Sequence, residues 1–198
     1  MTVTADQALA RLIEGNERFM RGQARFPTVQ KDILADLAKG QQPYATVLGC
    51  SDSRVPPELV FDAGFGELFI VRVAGNVISA EIMGTLQYAG MHLQTPLFVV
   101  MGHRGCGAVS AALSTKEHGA SHPSRIAELL KNIYPALERV DRTLPAGDIF
   151  DAAVEANVRW SMQQLLETPE ARQRAKQGVM QLVGAVYDLE TGHVRFLS

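Results

Sequence analysis

The sequence predicts an α/β fold: a central, mostly parallel sheet of about four strands plus a C-terminal edge strand, flanked by helices. Three apolar runs, Tyr44 to Gly49, Glu67 to Val73 and Pro96 to Gly102, are strand-length and rich in Val, Ile, Leu and Phe, as strands buried on both faces are. Between the second and third, Ser79 opens a segment that places Ile82, Leu86, Ala89 and Leu93 on one helical face, which makes a strand-helix-strand crossover. With 198 residues, 46% of them hydrophobic, the chain can bury one sizeable core, so residues 1–198 are read as a single domain with an N-terminal helical arm over about 4–40.

In chain order, Thr4-Ala-Asp-Gln7 has the form of a capping box, and Leu9, Leu12, Ile13, Asn16 and Phe19 recur at helical spacing until Gly22. A shorter helix carries Ile33, Leu34 and Leu37 and ends towards Gly40. After the three strands the chain turns helical from about Val109. Further helices are expected over Arg125 to Val140 and Asp148 to Glu167, punctuated by Pro123, Pro145 and Pro169. Val179 to Tyr187 and His193 to Leu197 read as a closing hairpin that turns at Gly192.

The formal net charge is -2, from 19 basic and 21 acidic residues mixed along the chain, which leaves no electrostatic footprint for nucleic acid. No apolar stretch approaches the roughly 20 residues that span a bilayer. The N-terminus lacks a basic start followed by an apolar run, so the expected location is the cytoplasm.

Cys50 and Cys106 each follow an apolar strand in a glycine-rich turn. They permit one disulfide, an alternative that sequence leaves open. His103-Arg-Gly-Cys106 offers two ligand types three residues apart, and glycines at 102, 105 and 107 let the backbone wrap closely. Cys50, at the end of another parallel strand, is a third candidate, because strand C-termini of an open sheet converge where ligands sit. A Cys2His set suits Zn2+ with an open fourth position, where a bound water can ionise near neutral pH and attack an electrophilic carbon. A structural metal site or plain packing is the competing reading. Asp52 and Arg54, in Cys-Ser-Asp-Ser-Arg, weigh against it: a carboxylate and a guanidinium spaced to pair within reach of the metal.

The segments Gly49-Cys-Ser-Asp-Ser-Arg-Val-Pro-Pro-Glu58 and Gly102-His-Arg-Gly-Cys-Gly107 together resemble the paired signature of the β-class carbonic anhydrases. The likeness extends through Phe69-Ile-Val-Arg72, Ala74-Gly-Asn76, Tyr88 and Val183 to Gly192. It implies zinc held by Cys50, His103 and Cys106, and reversible hydration of carbon dioxide to bicarbonate by attack of zinc-bound hydroxide. Asp52 would orient that hydroxide and Arg54 would hold Asp52 off the metal. With the pair broken, Asp52 could become a fourth ligand in a closed state. Likeness to the plant-like branch implies a substrate pocket of Gln41, Phe69, Ala74 and Tyr88, partly across a dimer interface, and a homodimer or tetramer.

Val73 and Ala74 depart from the family pattern, where asparagine and a larger aliphatic are usual, and would widen the pocket. Val47 stands where the branch with an allosteric bicarbonate site carries tryptophan, so no such switch is expected. His92, His118, His122 and His193 are available as proton shuttles by chemistry, and none is assigned. The rival functions are hydrolysis of carbonyl sulfide or carbon disulfide on the same scaffold and a non-catalytic zinc-binding protein.

Overall fold

The computed structural model describes residues 3–25 and 31–197, so residues 26–30 of the predicted arm lie outside the described residues. The three apolar runs become β1 (Ala45–Gly49), β2 (Leu68–Arg72) and β3 (Leu97–His103). β1 and β3 are buried along their whole length, as strands covered on both faces must be. With β4 (Gln181–Tyr187) and β5 (Val194–Leu197) they form a five-stranded sheet in the order β2-β1-β3-β4-β5. All neighbours are parallel except β4 and β5, the predicted hairpin, whose turn passes through Gly192 at φ 75°. The expected mostly parallel sheet with a C-terminal edge strand is therefore present.

This order has a functional consequence. The chain leaves β1 for β2 on one side and returns to place β3 on the other, so the connections diverge between β1 and β3. Gly49 is in register with Met101, which brings the C-terminal ends of the two strands side by side at that crevice.

Helices cover both faces. α1 (Ala5–Met20) starts with the predicted capping box: Gln7 N–H donates to Thr4 Oγ1 at 3.2 Å and Thr4 N–H to Gln7 Oε1 at 3.0 Å. Its buried face differs from the predicted one. Ala8, Leu12, Gly15 and Asn16 face inward, whereas Ile13 is exposed. The cause is close backbone approach. A methyl group added at Gly15 would lie 1.9 Å from the Phe61 carbonyl oxygen and 2.8 Å from its carbon. Asn16 seals the junction, donating to the Val60 and Gly192 carbonyls at 3.1 and 2.8 Å and accepting from Val194 N–H at 2.9 Å.

Gly15→Ala should therefore destabilise the protein by roughly 2–3 kcal/mol through overpacking, although alanine favours a helix interior by about 1 kcal/mol. Gly147→Ala, where an added methyl meets nothing within 4 Å among the described residues, should be neutral or stabilising. Urea midpoints of the two variants test this, and equal midpoints would refute the close-packing account.

α2 (Lys31–Leu37) follows, then α3 (Pro57–Val60) between β1 and β2, and α4 (Ala80–Tyr88) with Ser79 as its N-cap. α4 runs into a π turn over Ala89–Leu93. α5 (Gly107–His118) starts directly after Cys106. The helix expected over Arg125 to Val140 is instead two, α6 (Ser124–Lys131) and α7 (Tyr134–Leu137). Pro135 explains the break: it has no N–H for the Lys131 carbonyl and its ring would collide there, so it sits in the first turn of a new helix. α8 (Ala146–Glu167) takes Pro145 at its start. The unexpected α9 (Pro169–Lys176) is capped by Thr168, which accepts from Ala171 N–H at 3.3 Å.

α8 lies tightly on the sheet. A methyl at Gly102 would meet Val158 at 2.7 Å, and one at Gly184 would meet Met162 at 2.8 Å. These glycines let the helix descend onto β3 and β4 and carry its polar residues close to the crevice.

Candidate metal centre

Cys50 follows β1, His103 ends β3, and the turn at Gly105, φ 68°, returns the chain so that Cys106 caps α5. Fold topology thus converges three residues separated in sequence. Their ligand atoms all lie within 4.8 Å of one another, and all three side chains are buried. Both cysteines are free, which removes the disulfide alternative.

The donor set fits a thiophilic divalent metal. His103 Nδ1 lies 2.9 Å from the Arg104 carbonyl oxygen, which can only accept, so Nδ1 carries the proton. Nε2 is left with a lone pair, buried and without a hydrogen-bond partner among the described residues. An orphaned imidazole nitrogen beside two buried thiols costs stability unless something binds there. Two sulfurs and one imidazole are the ligands that zinc accepts in three-ligand sites.

The thiols are electrostatically unequal. The Cys106 thiol and the Gly75 N–H, 3.3 Å from the sulfur, draw Cys50 down to about 4 despite its burial. Cys106 is pushed up by the neighbouring Cys50 and by burial, while the Ala108 and Val109 amides of α5 act the other way. The pair thus holds Cys50 as the thiolate, ready to ligate a cation.

Asp52 and Arg54 form the predicted pair. Asp52 Oδ1 accepts from the Arg54 backbone N–H at 3.0 Å and from Nε at 2.9 Å, and Oδ2 accepts from Nη2 at 2.7 Å. This bidentate contact holds the Asp52 carboxyl well below the usual carboxylate range. Asp52 Oδ2 is 3.9 Å from His103 Nε2, so the carboxylate stands beside the three-ligand cluster with its oxygens engaged by Arg54.

Sequence reasoning gave no role to two residues that shape this loop. Arg72 donates from Nε to the Cys50 carbonyl at 2.8 Å and from Nη2 to the Asp52 carbonyl at 2.6 Å, pinning the backbone on both sides of Ser51. Gly75 supplies the N–H to the Cys50 sulfur. The available signal was an arginine closing an otherwise apolar strand, followed one residue later by Ala-Gly-Asn.

Of the four residues expected to line a substrate pocket, Phe69 and Tyr88 are neighbours, with ring centroids 6.2 Å apart, and His92 extends the row at 4.9 Å from Tyr88. Ala74 is half-buried in the 3-10 turn Ala74–Asn76. Gln41 is exposed, and Tyr88 is 47% exposed in the single chain.

A family model described as carbonic anhydrase matches residues 45–194. The chain is 38% identical over 183 residues to carbonic anhydrase 2 of Mycobacterium tuberculosis, covering 91% of this chain and 87% of that protein. It is 36% identical over 188 residues to a carbonic anhydrase of Mycolicibacterium smegmatis, covering 94% and 90%. The solved β-carbonic anhydrase of Coccomyxa, in complex with acetazolamide, aligns with a TM-score of 0.76 at 27% identity, covering 96% of this chain and 86% of that one.

Proposed function

The chain belongs to the β-class carbonic anhydrase family, and from that premise we propose that it catalyses the reversible hydration of carbon dioxide to bicarbonate and a proton. The observation that carries the reading is the buried Cys50, His103 and Cys106 cluster with the ionised Asp52 beside it. Cys50, His103 and Cys106 would hold zinc, whose Lewis acidity lets a water act as a nucleophile near neutral pH.

The protein's own residues do the remaining work. Asp52, fixed by the two-point contact to Arg54, accepts a hydrogen bond from the attacking water and turns its lone pair towards the substrate carbon. Arg54 keeps that carboxylate charged and turned away from the metal ligands. Arg72 fixes the peptide on each side of Ser51, so that the dyad and Cys50 keep a constant relation.

Carbon dioxide is small, uncharged and weakly hydrogen-bonding, which suits the apolar Phe69 and Tyr88 pair with Ala74 alongside and one amide from Gln41. The exposure of Tyr88, together with that of Leu34, Phe65 and Met91, supports a homodimer or tetramer in which a second copy completes the pocket. Among the described residues no helix is long and apolar enough to cross a membrane, and a cytoplasmic location completes the proposal.

The test is metal analysis of the purified protein with stopped-flow carbon dioxide hydration between about pH 6 and 9. One zinc per chain and hydration that chelation abolishes and added zinc restores is the expected result. Zinc-loaded protein without hydration at any pH would sink the reading. Carbonyl sulfide turnover exceeding hydration would transfer it to the sulfur analogue.

A further inference from the structure

Cys50 is oriented by a turn that would not hold itself. Gly75 has φ 68° and Asn76 φ 43°, two successive left-handed residues of which the second is not glycine. Such backbone persists where its surroundings impose it. In this conformation the Gly75 N–H points at the Cys50 sulfur, 3.3 Å away.

What imposes it comes from α8. Asn157 Nδ2 donates to the Gly75 carbonyl at 2.7 Å, and Ser161 Oγ donates to the Asn76 carbonyl at 2.9 Å. The two residues lie one helical turn apart on the same face, and both are buried. The descent of α8 onto Gly102 brings that face to the turn, and Asn76 also approaches the same glycine.

Asn157 is an expensive way to fill this space. Its Oδ1 is buried and has no hydrogen-bond partner among the described residues, and the same is true of Asn76 Nδ2. A half-satisfied amide in a core costs stability relative to an apolar side chain of similar shape. Local rules are broken in this way where a site requires it.

We propose that Asn157, with Ser161, is a positioning residue for the metal centre: it locks the Gly75-Asn76 turn so that the Gly75 N–H fixes the Cys50 sulfur for zinc. This rests on the zinc reading above. A partner two hydrogen bonds from the metal acts at the lower end of the effects seen for outer-shell groups, so zinc affinity should fall about tenfold when the Asn157 amide is lost.

The experiment compares wild type with Asn157→Leu, which keeps the branched shape and removes the donor. Three quantities are measured: zinc affinity by chelator competition, the thiolate-to-cobalt absorption of the cobalt-substituted protein, and the melting temperature of the metal-free protein. The expected result is zinc bound about tenfold more weakly and a shifted cobalt band, with a melting temperature only modestly lowered, because the Gly75 carbonyl loses its donor.

A lowered melting temperature with unchanged zinc affinity and cobalt band would make Asn157 structural and overturn the inference. If Asn157→Leu does not fold, Ser161→Ala decides by the same metal readouts, and unchanged values there overturn it too. A wild type that takes up no zinc refutes the zinc reading and this inference together. A zinc-binding wild type matched by its variants refutes the inference alone.

Discussion

Cys106→Ser should give a folded chain that retains no zinc after dialysis and hydrates carbon dioxide no faster than buffer. Folding is expected to survive because of where Cys106 sits. It is the N-cap of α5, and its sulfur faces the Ala108 and Val109 amides. Serine is among the best residues for that position, since its hydroxyl accepts from the first-turn N–H groups, which is worth about 1 kcal/mol. The metal site has no such tolerance. A neutral hydroxyl is a poor zinc ligand beside a thiolate, and the two remaining ligands, Cys50 and His103, leave the ion undercoordinated. Loss of the metal removes a contribution of several kcal/mol, so kcat/KM should fall at least ~10³-fold. Zinc analysis, circular dichroism and stopped-flow hydration on one preparation separate the outcomes. Full zinc occupancy in the folded variant would remove Cys106 from the ligand set.

The candidate ligands were legible because each sits where two local patterns meet, an apolar strand ending in a glycine-rich turn. Once β1 and β3 are read as parallel neighbours, their C-terminal ends must converge, and Cys50 and His103 with them. Asp52 and Arg54 were legible for a similar reason, because residues two apart in a tight loop can pair without long-range information. The parts that escaped depend on tertiary approach. The buried face of α1 is set by Gly15 against Phe61, a contact that no periodicity encodes. Asn157 and Ser161 read as ordinary polar positions of a long helix until Gly102 shows how deeply that helix lies on the sheet. The break between α6 and α7 was available in principle, since Pro135 lies inside the expected helix. The expected pocket residues are the least determined by one chain, because Gln41 and Tyr88 face solvent in it.

Asp52→Asn should keep its zinc and lose most of its turnover, with kcat/KM reduced about 10²-fold, the scale of a misplaced reacting group. The substitution is nearly isosteric, so its effect lies in hydrogen bonding. Both carboxylate oxygens accept from Arg54, at 2.9 Å from Nε and 2.7 Å from Nη2. An asparagine offers one acceptor and turns an NH2 group towards a guanidinium that can only donate, so one of the two contacts becomes repulsive. The side chain then loses both its fixed orientation and its charge, and a water hydrogen-bonded to it is no longer held in one direction. Cys50, His103 and Cys106 are untouched, and the Arg72 contacts to the loop go to backbone carbonyls that the substitution leaves in place, so zinc occupancy should match wild type. Arg54→Ala tests the same pair from the other side. It leaves Asp52 a carboxylate without its anchor, free to turn towards His103, 3.9 Å away. If both variants hydrate carbon dioxide at the wild-type rate, the pair serves the loop and not the reaction. If Asp52→Asn alone is impaired, the carboxylate acts without needing its partner. The loss of activity in both, at full zinc occupancy, identifies the dyad as the element that turns a metal site into a catalyst.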